Sequence, residues 1–235
     1  MKKAEEVAVV VQARLSSERC PRKMIRPFAD STLTEVMTKK ILSSKVIPKN
    51  NFYLSVYDPE LKEIGHRLGA NVFNRSEASA LWDGGPKSHI KDMYEWHNKI
   101  PFKYVVLVSA CTPLLEVATI DNFFSAYLET KSDGLFAVVE KKNYFWNKEG
   151  ALISRWPATE PAMNTKAVEA TYEAAHCLYA GRMDKISQGI WMGDFQKPGD
   201  IELFPISENE IYDVDYEWQF PIVESIYKTV NKIGI

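Results

Sequence analysis

Five consecutive apolar residues, Val7-Ala-Val-Val-Val11, set the first element of the chain. A β-branched run of this kind is the pattern of a strand covered on both faces in a parallel sheet. After a polar loop without glycine, Thr32-Leu-Thr-Glu35 has the spelling of a capping box and opens a helix through Val36, Met37, Lys40, Ile41 and Leu42. The pattern then alternates. A strand is expected over Phe52 to Val56, a helix over Pro59 to Leu68 and a short strand over Ala70 to Phe73. A helix follows from Lys87 to Asn98, a strand from Tyr104 to Ser109, a helix from Val117 to Thr130 and a strand from Leu135 to Val139. Strands alternating with helices predict an α/β fold, an open and mostly parallel sheet flanked by helices.

From Lys141 to about Tyr179 the rhythm changes: Tyr144, Phe145, Trp146, Trp156 and Tyr172 are mixed with Pro157, Pro161 and polar residues. Irregular strands, rather than another strand–helix unit, are expected there. A late strand over Ile201 to Ile206 and a helix from about Glu217 to Val230 complete the chain. No repeat or linker divides it, so residues 1–235 read as a single domain.

Charge narrows the function classes. A formal net charge of −2 provides no basic field for nucleic acid or an anionic membrane, so an anionic substrate needs a local cluster of cations. Cys20, Cys111 and Cys177 are too widely spaced for a metal knuckle, and their reduced state suits a cytoplasmic protein. The apolar stretch Val7 to Gln12 is too short for a signal-peptide core, and no run reaches the ~18 apolar residues of a membrane helix. His66, His89, His97 and His176 form no zinc motif.

The loop after the first strand, Ala13 to Lys23, gathers Arg14, Arg19, Arg22 and Lys23 with Ser16 and Ser17. Ligands of α/β folds bind at the carboxyl ends of the strands, and arginine offers a two-pronged grip on phosphate oxygens. The loop is neither a P-loop nor a dinucleotide fingerprint, because the first glycine in the chain is Gly65. A solvated basic loop is the alternative reading. Near the other end lies Asp213-Val214-Asp215. In extended chain these two carboxylates share a face, roughly 7 Å apart at Cα. They suit a hard divalent cation beside a triphosphate; alternatively Asp215 caps the last helix.

"VVVQARLSSERCPRKMI" resembles the N-terminal signature of the sugar-acid cytidylyltransferases, approximately A-R-x-x-S-x-R-x-P-x-K. That family includes the CMP-sialic, CMP-legionaminic or pseudaminic, and CMP-Kdo synthetases. Gln12-Ala13-Arg14 is closest to the spore-coat polysaccharide cytidylyltransferase branch. "LVSACTPLLEVATID" is similar to the family's L-x-x-T-S-P-L segment, and "YDVDYEWQF" to its closing acidic motif. The resemblance implies a GT-A-like nucleotidyltransferase fold and transfer of CMP from CTP to the anomeric hydroxyl of a 2-keto-3-deoxy sugar acid, with Mg²⁺ or Mn²⁺. Ala13, Arg14, Ser16, Ser17, Arg19, Lys23, Arg75 and Ser88 are then expected at the nucleotide, with Arg14 and Lys23 stabilising charge on the α-phosphate. Asp213 and Asp215 are expected at the metal, and Thr112, Lys142 and Tyr172 at the sugar. A cytoplasmic homodimer is implied, with residues 141–180 as the dimerisation excursion. Leu15-Ser16 stands where many relatives have Gly-Gly, and Ser109 where sialic-acid relatives have Gln, which leaves the sugar open. A different acceptor (a phosphonate or a sugar phosphate), another nucleoside triphosphate, and a non-catalytic nucleotide-binding scaffold are the competing readings.

Overall fold

A computed structural model describes residues 1–82, 84–85, 88–157 and 161–233. The described residues form a seven-stranded sheet in the order β3-β2-β1-β4-β6-β5-β7. Its centre is β1 (Val7–Gln12), whose residues Val7 to Val11 are all fully buried. On one side β1 pairs in parallel with β2 (Phe52–Val56), which pairs in parallel with β3 (Asn71–Asn74). On the other side it pairs in parallel with β4 (Tyr104–Ser109).

The two faces of β1 feed different cores. Val7, Val9 and Val11 pack into a large cluster with α1 (Leu33–Ser43), α2 (Pro59–Leu68), α5 (Val117–Glu129) and α6 (Gln219–Asn231). Ala8 and Val10 pack with Trp96, Met183, Ile186 and Trp191, so short 3₁₀ turns at Glu95–Asn98 and Met183–Gln188 cover that face instead of long helices. Each buried valine contributes roughly 1.5–3 kcal/mol of hydrophobic stabilisation, which makes β1 the anchor for the loop that follows it.

The mostly parallel α/β architecture is as expected, and β2 and α2 span the expected residues. The Thr32 side chain accepts from the Glu35 N–H at 3.2 Å, but Glu35 turns to Ser31 and Arg67, so half of the capping box forms.

Three expectations are corrected. The helix expected from Lys87 to Asn98 is broken into α4 (Ile90–Met93) and the 3₁₀ turn, and α3 (Glu77–Ala80) precedes it; Lys87 lies outside the described residues. Tyr94 sits between the two pieces with ψ of 52°, outside helical geometry. The irregular region ends in a long strand, β6 (Thr171–Arg182), inserted antiparallel between β4 and β5 (Gly134–Lys141) with one register shift against β5. The closing strand β7 (Ile201–Pro205) joins β5 in parallel. Lastly, Asp215 does not cap α6, which begins at Gln219; the Gln219 side chain instead accepts from the N–H groups of Asp215 and Tyr216, both at 2.7 Å.

Candidate active site

The chain leaves β1 for β2 on one side while β4 lies on the other, so a crevice opens at the carboxyl ends of β1 and β4. The basic loop fills its rim and is tied down from several directions. Leu15 N–H donates to Asp58 at 3.1 Å, Arg22 pairs with Glu60 at 3.1 Å, and Arg26 pairs with Glu217 at 2.7 Å. The resulting cleft, of about 650 Å³, is lined by the loop, by Arg75, Ser79 and Trp82 beyond β3, and by Asp215.

Four of the expected cations reach the cleft. Lys23 is buried, and its Nζ donates to the Val214 carbonyl at 2.5 Å and to Asp215 at 3.3 Å. Burial opposes the Lys23 charge, yet Cys111, Asp213 and Asp215 outweigh it and hold the pKa above that of a free lysine. Burial pushes the Cys111 thiol up to about 11, so at neutral pH the aspartates are the effective partners. Arg19 pairs with Asp215 at 2.8 Å and lies over the Tyr216 ring, 5.0 Å from its centroid. Arg14 donates to the carbonyls of Ala80 and Trp82 at 2.9 and 3.1 Å, spanning the cleft mouth. Arg75 is buried, with the hydroxyl and carbonyl of Ser79 as neutral partners. Burial, then the Arg14 charge, lowers its pKa to about 10, so an anion entering here relieves both penalties.

Ala13, Ser16 and Ser17 also line the cleft. Ser17 Oγ accepts from the Cys20 N–H at 3.3 Å. Arg22 turns away to Glu60 with φ of 54°. Ser88 is exposed and is not among the described lining residues.

The acidic segment closes the crevice. Val214 is buried and donates to the Cys111 carbonyl at 2.9 Å, which seats Asp213 and Asp215 at the end of β4. Asp213 Oδ1 is buried without a hydrogen-bond partner among the described residues. Burial, then the charge of Asp215, pushes Asp213 up to about 6; Lys23, Arg19 and His176 pull the other way. An orphaned carboxylate oxygen beside a second carboxylate fits a hard cation. Among the described residues no group of three His, Cys, Asp or Glu is assembled around an ion. Asp213 and Asp215 are the residues that would hold such a cation, which would neutralise phosphate charge there.

The three residues expected at the sugar are not brought together. Thr112 is buried, with its hydroxyl 3.4 Å from the Ser109 carbonyl. Lys142 is exposed and pairs with Glu140 at 3.9 Å. Tyr172 lines a separate cavity of about 300 Å³ with Phe136 and Phe195. None of the three lines the cleft of the basic loop.

His176, which the sequence reading names only as lacking a zinc motif, acts on the acidic pair. Between Phe136/Tyr179 and Val138/Ala174 the register of β5 and β6 shifts, and in this bulge His176 has φ of 53°. Its Nδ1 lies 3.2 Å from the Tyr179 hydroxyl, and its charge acts on Asp213. Non-glycine residues rarely adopt that conformation, and no local spelling announces it.

Volume does not choose the site. A cavity of about 770 Å³ lies at the opposite edge of the sheet beside Tyr104, but its cations are satisfied: Lys103 by Glu6, and Arg182 by Asp184 and Asp133.

Comparison with known proteins places the chain in a family and matches its fold. The cytidylyltransferase family model matches residues 8–179. Post-translational flagellin modification protein B of Campylobacter coli is 24% identical over 235 residues, which covers 96% of this chain and 97% of that protein. The structure of CMP:2-keto-3-deoxy-manno-octonic acid synthetase complexed with CTP is similar at a TM-score of 0.66 and 12% identity, covering 96% of this chain and 99% of that one. 4-diphosphocytidyl-2C-methyl-D-erythritol synthase from Anaerococcus prevotii gives a TM-score of 0.61 at 10% identity, covering 94% of this chain and 96% of that one. At these identities the structural likeness speaks for the fold.

Proposed function

The chain belongs to the cytidylyltransferase family, and from that premise we propose that it transfers CMP from CTP to the anomeric hydroxyl of a 2-keto-3-deoxy sugar acid, releasing pyrophosphate. The observation that carries the reading is convergence: Arg14, Arg19 and Lys23 of the basic loop, Arg75 beyond β3 and Asp215 near the other end of the chain line one cleft. The flagellin-modification relative and the CMP:2-keto-3-deoxy-manno-octonic acid synthetase favour an acidic sugar destined for surface glycan.

In this reading the triphosphate enters between the basic loop and Arg75. Its anionic oxygens draw Arg14 from the Ala80 and Trp82 carbonyls and Arg19 from Asp215. Lys23, held rigidly by Val214, faces the α-phosphate and stabilises the charge that grows there. The sugar hydroxyl oxygen bonds to the α-phosphorus, giving up its proton to water, as the bond to the bridging oxygen breaks, and pyrophosphate leaves in line. No side chain becomes covalently attached. Asp213 and Asp215 would hold Mg²⁺, which when bound supplies neutralisation of phosphate charge. Ala13, Ser16 and Ser17 complete the nucleotide assignment, and Ser88, which does not line the cleft, serves the nucleotide only if the base or ribose reaches beyond it. Thr112, Lys142 and Tyr172 serve the sugar only if the acceptor extends well beyond the cleft. Residues 1–235 act as one cytoplasmic domain, with 141–180 as the arm of a homodimer.

The test is pyrophosphate release with CTP, UTP, GTP or ATP, Mg²⁺, and a panel of sugar acids, phosphonates and sugar phosphates. Turnover is expected with CTP and a sugar acid, and Lys23→Met should lower kcat by about 10²- to 10³-fold. Turnover confined to a phosphonate or sugar phosphate overturns the acceptor, and CTP binding without turnover on any acceptor identifies a scaffold.

A further inference from the structure

Between β4 and α5 the chain makes a turn, residues 110–116, that carries Cys111 at the cleft. Two side chains outside the cleft grip this turn from opposite sides. Lys40, on α1, donates from Nζ to the carbonyls of Pro113 and Leu115, both at 2.6 Å. Glu210, buried at 8% exposure, accepts from the Glu116 N–H at 2.9 Å and from the Thr119 hydroxyl at 3.0 Å. Three residues after Glu210 comes Asp213, and the Val214 N–H closes the circuit on the Cys111 carbonyl at 2.9 Å. The acidic segment is therefore moored to the turn at both ends, and the turn is moored to α1 through one ammonium group.

We propose that Lys40 and Glu210 are positioning residues for nucleotidyl transfer: they fix the β4–α5 turn so that Asp213 and Asp215 stand opposite the basic loop. They line no part of the cleft, so they act through the aspartates. The inference rests on the transfer reaction proposed above. Burial lowers Lys40 to about 8 against the opposing charges of Glu116 and Glu210, and Tyr227 of α6 lies 5.8 Å away. A half-buried ammonium is a costly way to fill space. Its two backbone hydrogen bonds give it a use that an apolar side chain of equal length would not have.

The variants are Lys40→Met, which keeps the length and loses both donors, Lys40→Arg, which restores donors, and Glu210→Gln. In Lys40→Met, amide exchange at Val214 should rise by at least about tenfold while that at Val9 in β1 stays fixed. Its kcat should fall by roughly 10- to 100-fold, with KM for CTP within about threefold of the parent. Lys40→Arg should recover most of both. If Lys40→Met does not fold, Glu210→Gln carries the same two measurements. Unchanged Val214 exchange, or a loss of CTP affinity as large as the loss of kcat, overturns the proposal. Should the parent protein not turn over CTP at all, the functional reading fails, and Val214 exchange still decides whether Lys40 and Glu210 place the acidic segment.

Discussion

With Oδ1 buried and no hydrogen-bond partner among the described residues, Asp213 should destabilise the fold when no cation is bound. Its folded pKa of about 6 lies above the roughly 3.9 of an unfolded aspartate, so between those values the folded chain holds a proton that the unfolded chain has released. Stability from this residue therefore falls as pH rises through that window and stays reduced at neutral pH. A shift of this size corresponds to about 3 kcal/mol at most, and partial exposure brings it to roughly 1–2 kcal/mol. Asp213→Asn should raise the unfolding midpoint at pH 7.5 without metal, abolish transfer, and show a much smaller stability difference at pH 4. A lower midpoint at pH 7.5 would count against the buried, uncompensated charge. The residue types at this candidate site were legible in the sequence, since Arg14, Lys23, Asp213 and Asp215 are charged and stand in the motifs that the chain's family resemblance rests on. Lys40, Glu210 and His176 were not. Two of them act on backbone atoms, and the third depends on a bulge created by pairing between distant strands.

Among the elements, those whose covering is encoded in their own residues were legible: β1, β2, α2, β4 and α5 fall where the apolar pattern puts them. The strand β6 was not. Its first half is largely exposed and polar, and its strand conformation comes from pairing with β4 and β5, information that its own spelling lacks. The same strand carries a tight packing constraint. A Cβ on Gly181 would stand 2.4 Å from the Trp191 carbonyl oxygen, and one on Gly134 of β5 would stand 1.8 Å from that of Met192. Both glycines let the 191–192 backbone lie directly against the sheet. Gly181→Ala should cost about 1–3 kcal/mol in denaturant unfolding. It lies far from the carboxyl edge of β4, so activity per folded molecule should be retained; an unchanged denaturation midpoint would show that the segment yields.

For the whole molecule, the net charge of −2 coexists with a cationic cleft, so attraction for CTP is local rather than global. The excursion carries exposed apolar side chains, with Trp146, Ile153 and Met163 52%, 67% and 59% exposed. Tyr144 is buried beneath tilted contacts with Trp146 and Trp156 at 6.4 and 5.4 Å, which gives the patch a rigid base. A homodimer through this arm predicts a mass near twice that of the chain by light scattering at micromolar concentration, and monomers for Trp146→Glu combined with Ile153→Glu. A monomeric parent protein would remove the dimer. The place of β6 in the sheet also orders events during synthesis. Until Thr171 to Arg182 has left the ribosome, β4 presents an open edge and β5 has nothing joining it to the parallel half. The nascent chain thus carries the cationic side of its cleft long before the acidic side, which emerges only after β6 and β7.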